Sequence, residues 1–142
     1  MKLNILGCHS ATPLENAHTT SQVLEVKDQL FLIDCGEGTQ IQLRQQKIKF
    51  SRIKHIFISH LHGDHFYGLV GLVSTFRLLG RTADLHIYGP KGIKEVLTLQ
   101  LKLANSWTDY NLFFHELEKK ESELIFEDDS LKIHTIPLDH RV

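Results

Sequence analysis

The sequence predicts an α/β domain on three observations: short β-branched and aromatic runs, stretches of helical spacing between them, and one strand that runs directly into a cluster of histidines. The last of these organises the chain. In Ile56-Phe57-Ile58-Ser59-His60-Leu61-His62-Gly63-Asp64-His65, three imidazoles and one carboxylate fall within six residues, after a run too short for a helix. An extended backbone places side chains two apart on one side, so His60 and His62 can share one ion. The chain can turn at Gly63, and Asp64 and His65 then point at a neighbouring position, which suggests a second ion about 3.5–4 Å from the first.

In chain order, a strand is expected at about residues 2–6, followed by a long polar loop from Gly7 to Thr20 that carries Pro13, Asn16 and His18. Gln22 to Val26 and Leu30 to Asp34 flank Lys27-Asp28-Gln29 and read as a hairpin, so the sheet begins antiparallel. Ile33-Asp34-Cys35-Gly36-Glu37-Gly38-Thr39-Gln40 supplies two glycines for a tight strand-to-helix turn, with Thr39 placed to cap a helix over roughly 40–47. Lys47, Lys49, Arg52 and Lys54 form the most basic stretch, read first as a solvated face and second as a phosphate-contacting patch. Beyond His65, an apolar run from Phe66 to Leu79 predicts a buried helix ended by Gly80. Leu85 to Tyr88 reads as a strand, and Gly89-Pro90 as the opening of a helix whose Ile93, Val96, Leu97, Leu101 and Ala104 face the sheet. Leu112 to Leu117, Glu123 to Glu127 and Leu131 to Pro137 complete the pattern as three strands.

The 142 residues suffice to bury a core, and a net charge of −1 provides no overall field toward nucleic acid or a membrane. Any RNA contact must therefore come from a local patch and the metal site. The first residues lack the apolar core of a signal peptide and no run is long enough to span a membrane, so a cytoplasmic protein is expected. Cys8 and Cys35 each end an apolar run, which favours buried free thiols over a disulfide. The chain stops two residues past His140 without terminal punctuation, as a fragment would.

His60-Leu61-His62-Gly63-Asp64-His65 matches the His-x-His-x-Asp-His signature of the metallo-β-lactamase fold superfamily. Asp34-Cys35-Gly36-Glu37-Gly38-Thr39-Gln40, the signature followed by Gly68-Leu69, Tyr88-Gly89-Pro90 and Asp139-His140-Arg141-Val142 together resemble the tRNase Z (ribonuclease Z) family. The resemblance implies a four-layer α/β/β/α sandwich. Residues 1–142 would be the N-terminal part of that single domain, supplying the first sheet and its helices. It implies a homodimeric endoribonuclease that removes the 3′ trailer of precursor tRNA and uses two Zn2+ ions. On the family pattern His60, His62 and His140 hold one zinc, and Asp64 and His65 contribute to the second. Asp64 is the catalytic carboxylate that orients the attacking water, and Asp34 supports the ligands from behind. Zinc lowers the pKa of bound water towards 7 and so supplies hydroxide in neutral solution.

Two departures bear on activity. The family's remaining ligands, a histidine that protonates the leaving group and a tRNA-gripping arm belong to a second half not found here. One ion or none would then be firmly held, and the chain alone is expected to be inactive. Pro13-Leu14-Glu15-Asn16 also lacks the basic residues that many bacterial members carry. The alternatives are another hydrolase of this fold (a phosphodiesterase, arylsulfatase-like or lactone hydrolase) or a non-catalytic zinc-binding fragment.

Overall fold

A computed structural model describes residues 1–12 and 14–140; Pro13, Arg141 and Val142, named in the loop and terminal motifs above, lie outside the described residues. Six strands form one sheet in the order β1-β2-β3-β4-β5-β6: Lys2–Gly7, Ser21–Val26, Gln29–Ile33, Ile53–Phe57, Leu85–Pro90 and Leu112–Leu117. The first three pair antiparallel and the last four parallel, so the sheet changes character at β3. Parallel neighbours require crossovers, and the helices α1 (Thr39–Gln45), α3 (Leu69–Leu78) and α4 (Ile93–Leu103) lie in those connections. A short helix, α2 (Gly63–Phe66), precedes α3, and β7 (Leu124–Glu127) pairs with β8 (Lys132–His134) in a separate hairpin.

The two-residue period of the strands divides the sheet into two faces. Leu30, Leu32, Ile56, Ile58, Leu85 and Ile87 point to the helices and meet Leu43, Leu72, Val73, Phe76, Ile93, Leu97 and Leu101 in the main core. Phe31, Phe57 and Tyr88 point the other way, where Ile125, Phe126, Leu131 and Ile133 of the β7–β8 hairpin cover them. Both faces of the central strands are therefore buried, which is why they read as nearly continuous apolar runs.

Several expectations need correction. Gly89 and Pro90 end β5, and Pro90 lies opposite Leu117 on β6. The helix begins only after Gly92 reverses the chain at φ 99°, and the Glu116 carboxylate on β6 accepts from Gly92 N at 2.8 Å and Lys94 N at 3.3 Å. Ala104 caps the end of that helix and is exposed. The helix expected from Phe66 to Leu79 is broken at Tyr67-Gly68, and Tyr67, Leu78 and Leu79 face solvent. Thr39 is the first residue of α1 and donates to the Gly36 carbonyl at 2.7 Å, leaving the helix N-terminus without a side-chain cap. Cys35 is buried, whereas Cys8 lies just beyond β1 and is exposed; both are free. Lys47, Lys49 and Lys54 are exposed, in keeping with a solvated basic face.

At the break Gly68 N donates to the Cys35 carbonyl instead of within a helix, and the close approach leaves no room for a side chain. A Cβ there would lie 2.1 Å from the Gly36 carbonyl oxygen, and one at Gly36 would lie 2.3 Å from the Asp64 oxygen. The strand-to-helix turn and the histidine loop thus press backbone against backbone, joined by Cys35 N to His65 O at 2.7 Å and Gly68 N to Cys35 O at 2.9 Å. Gly68→Ala is expected to cost about 1–3 kcal/mol, because backbone has to give way. Urea unfolding of the variant measures the loss; an unchanged midpoint would mean that the turn can move apart without strain.

A second feature of the sheet is a row of imidazoles. His55, His86 and His115 occupy β4, β5 and β6 on the face away from the helices, with His55 and His86 stacked at 5.1 Å and His86 Nδ1 3.0 Å from His115 Nε2. Phe126 of β7 lies 4.5 Å from the His55 ring. Burial first, then His86, His115 and Lys54, push the His55 pKa down from 6.5 to about 4, against a weaker opposing pull from Asp128. The unfolded chain takes up this proton near its ordinary pKa, whereas the folded chain refuses it until about 4. The stability that neutral His55 contributes is complete above 6.5 and lost as the pH falls through the folded value. Urea midpoints should therefore fall from pH 7 to pH 4, and fall less in His55→Phe. Parallel pH curves for the two proteins would overturn the assignment.

Candidate metal centre

The centre sits where the carboxyl ends of β3 and β4 meet α2. Asp34 follows β3 directly, in the left-handed region at φ 56°, and is buried. Its backbone is held on both sides: Asp34 N donates to Phe57 O at 2.8 Å, and Ser21 Oγ donates to Asp34 O at 3.0 Å. Such a conformation costs on the order of 1–3 kcal/mol in a residue other than glycine, and persists where surrounding structure dictates it. Here it aims the carboxylate across to β4. Oδ1 accepts from Ser59 N at 2.8 Å, and Oδ2 from Ser59 Oγ at 3.0 Å. His65 Nδ1 lies 2.7 Å from the same Oδ2.

Beyond Ser59 the chain leaves β4, and His62 is extended at φ −73° and ψ 140°. The two imidazoles separated by Leu61 come together as their spacing predicts, with His60 Nε2 3.0 Å from His62 Nδ1. His140, 78 positions further along, joins them with Nε2 3.4 Å from His62 Nδ1. The ligand atoms of His60, His62 and His140 all lie within 4.8 Å of one another, and among the described residues this is the one such group of three or more His, Cys, Asp or Glu side chains. Two nitrogens bound to a tetrahedral zinc at its usual bond length stand about 3.3–3.4 Å apart. The cluster is near that spacing, and imidazole is a ligand zinc accepts, so the residues fit the ion. Burial first, then His65, His62 and His140, lower the His60 pKa; opposing them, Asp34 raises it. The neutral form, which carries a lone pair for a metal, is thereby favoured.

Asp64 and His65 stand at the start of α2, beside the cluster. Asp64 Oδ2 is 3.4 Å from His65 Nε2, and the His65 ring is centred 4.0 Å from that of His60. The structure thus gathers His60, His62 and His140 at one point, pairs Asp64 with His65 next to it, and places Asp34 behind His65. Ser59 was not singled out as a functional residue in the sequence. Its hydroxyl lies within 3.2 Å of Asp34, His60 and His65 together. The available signal was its position, immediately before the first histidine at a strand end.

Known proteins agree with this architecture. A family model described as "Anti-Pycsar protein Apyc1" matches residues 1–141. Ribonuclease Z of Bacteroides fragilis is 54% identical over 141 residues, covering 99% of this chain and 46% of that protein. The crystal structure of human tRNase Z, short form, superposes with a TM-score of 0.93 at 32% identity, over 100% of this chain and 62% of that one. The metallo-β-lactamase fold protein YhfI from Bacillus subtilis superposes with a TM-score of 0.62 at 18% identity, over 93% of this chain and 56% of that one, a likeness of fold alone. The chain spans about half the length of the curated relatives it matches. It has the metallo-β-lactamase fold, resembles ribonuclease Z along nearly all of its own length, and belongs to the family described as Anti-Pycsar protein Apyc1.

Proposed function

We propose that this chain carries the metal-binding part of a zinc-dependent endoribonuclease of the ribonuclease Z type, which cuts precursor tRNA at its 3′ trailer. The observation that carries the reading is the convergence of His60, His62 and His140 at the carboxyl end of β4. Identity of 54% to a ribonuclease Z over the same residues supports it. The whole enzyme would be a cytoplasmic homodimer; among the described residues, no helix is long and apolar enough to cross a membrane.

In this reading His60, His62 and His140 would hold one zinc, and Asp64 and His65 would contribute to a second. Zinc there would supply Lewis acidity, activating water near neutral pH and offsetting charge that develops on the phosphate. The chain's own groups do the positioning. Asp64 is the acceptor placed to orient a water and take its proton, its Oδ2 lying 3.4 Å from His65 Nε2. Asp34 accepts from His65 Nδ1 and leaves His65 Nε2 directed at the Asp64 side. The second position then has two protein ligands, where a closed site has three or four.

The isolated chain is expected to retain zinc near one equivalent after dialysis, with the ion lost in His140→Ala, as elemental analysis and titration would show. Zinc retained equally by the variant would remove His140 from the ligand set. Cleavage is tested on this chain joined to the remaining residues of the Bacteroides fragilis relative, beside the chain alone. Metal-dependent cutting that leaves a 3′-hydroxyl on the tRNA is expected of the joined protein, and little or none of the chain alone. A joined protein that binds zinc but leaves precursor tRNA intact would overturn the reading. A second reading, a phosphodiesterase of the same fold with another substrate, is favoured by the family model's being described for a protein other than ribonuclease Z. Turnover of small phosphodiesters without tRNA cleavage would establish it.

A further inference from the structure

The Ser59 side chain occupies a junction. Its oxygen is 3.0 Å from Asp34 Oδ2, 3.0 Å from His60 Nδ1 and 3.2 Å from His65 Nδ1, while its backbone nitrogen donates to Asp34 Oδ1. A serine hydroxyl carries one hydrogen and two acceptor lone pairs, and an ionised carboxylate accepts only. These inventories decide the direction of every bond at the junction. Were the hydroxyl to donate to His60 instead, its lone pairs would stand 3.0 Å from a buried carboxylate oxygen, acceptor against acceptor.

We propose that Ser59 is a positioning residue that sets the tautomer of His60. The Ser59 hydroxyl donates to Asp34 Oδ2, and its oxygen accepts from His60 Nδ1–H. The lone pair of His60 then lies on Nε2, the atom that sits 3.0 Å from His62 Nδ1 inside the cluster. With the other tautomer His60 would direct Nε2–H at His62 Nδ1 and offer the cluster no lone pair. One buried carboxylate thus fixes two imidazoles, His65 by direct contact and His60 through a hydroxyl. Outer hydrogen bonds of this kind orient metal-binding histidines and raise their basicity. The inference rests on the zinc reading above only for its consequence in affinity; the tautomer itself is a property of the metal-free chain.

The test reads both. In metal-free, 15N-labelled protein, the ring nitrogen shifts of His60 should report protonation at Nδ1. Ser59→Ala should lose that preference and weaken zinc binding about 10–100-fold, whereas Ser59→Thr, which keeps the hydroxyl, should retain both. Protonation at Nε2 of His60 in the unsubstituted chain would overturn the proposal whatever the variants do, so it stays decidable if Ser59→Ala fails to fold. A Ser59→Ala protein with unchanged tautomer and zinc affinity within twofold would overturn it as well. Protonation at Nδ1 in a chain that binds no zinc would uphold the relay while removing the zinc reading.

Discussion

The buried carboxylate of Asp34 is the constraint on which the centre depends. A carboxylate withdrawn from water is costly unless donors replace its hydration, and here the replacement comes from Ser59 twice and His65 once. Those donors belong to different parts of the chain, so satisfying one charge draws the end of β3, the end of β4 and α2 to a single place. Parallel pairing of β3 with β4 brings their carboxyl ends to the same edge, where open α/β sheets generally form their ligand sites. The positive φ at Asp34 accompanies the same bonds, its backbone held to Phe57 and Ser21 while its carboxylate is held by Ser59. Among the described residues no buried side-chain nitrogen or oxygen lacks a hydrogen-bond partner, so the strain at Asp34 is not accompanied by unmet polar groups.

What the sequence made legible was local. His60 and His62 meet because two residues of extended chain dictate it, and the strands from β2 to β6 were readable from apolar runs with turn residues between them. His140 is different, for no spacing relates it to His62; only the resemblance to a known family pointed to it. Features set by contact between distant segments were misread. The apolar run after His65 has helical composition throughout, yet at Gly68 its N–H goes to Cys35 of the neighbouring turn and the helix is divided. Gly89-Pro90 has the look of a helix start, but pairing with β6 keeps Pro90 in the sheet, and the acceptor for the helix's first N–H groups, Glu116, comes from another strand. Asp34 could be marked as supporting, whereas the hydroxyl that carries its influence to His60 is invisible without distances.

The chain holds two gatherings of histidine, and the difference between them separates a site from packing. In the row of His55, His86 and His115, the rings lie face to face with one another and with Phe31, Phe113 and Tyr88, as aromatic side chains pack on a sheet. Register alone assembles that row: His55 lies opposite His86, and His115 opposite Tyr88. In the centre, by contrast, the rings of His60, His62 and His140 stand nearly edge to face, at 76° to 80°, and their nitrogens converge. Stacking covers the π faces and leaves ring nitrogens to pair at most two at a time, as His86 Nδ1 and His115 Nε2 do at 3.0 Å; in the centre three rings bring nitrogens within 4.8 Å of one another. Nitrogens 3.0–3.4 Å apart share either a ring proton or a cation, and a cation is the occupant that can use all three rings at once. Burial holds His55 in the row and His60 in the centre toward the neutral form; for His55 this goes with cover by the β7–β8 hairpin, and for His60 it leaves a donor atom free. In the row the ring nitrogens meet one another or the Tyr88 hydroxyl, whereas behind His60 and His65 they meet a hydroxyl and a buried carboxylate. An imidazole that merely packs has no need of a buried carboxylate, reached directly or through a hydroxyl, to choose which of its nitrogens carries the proton.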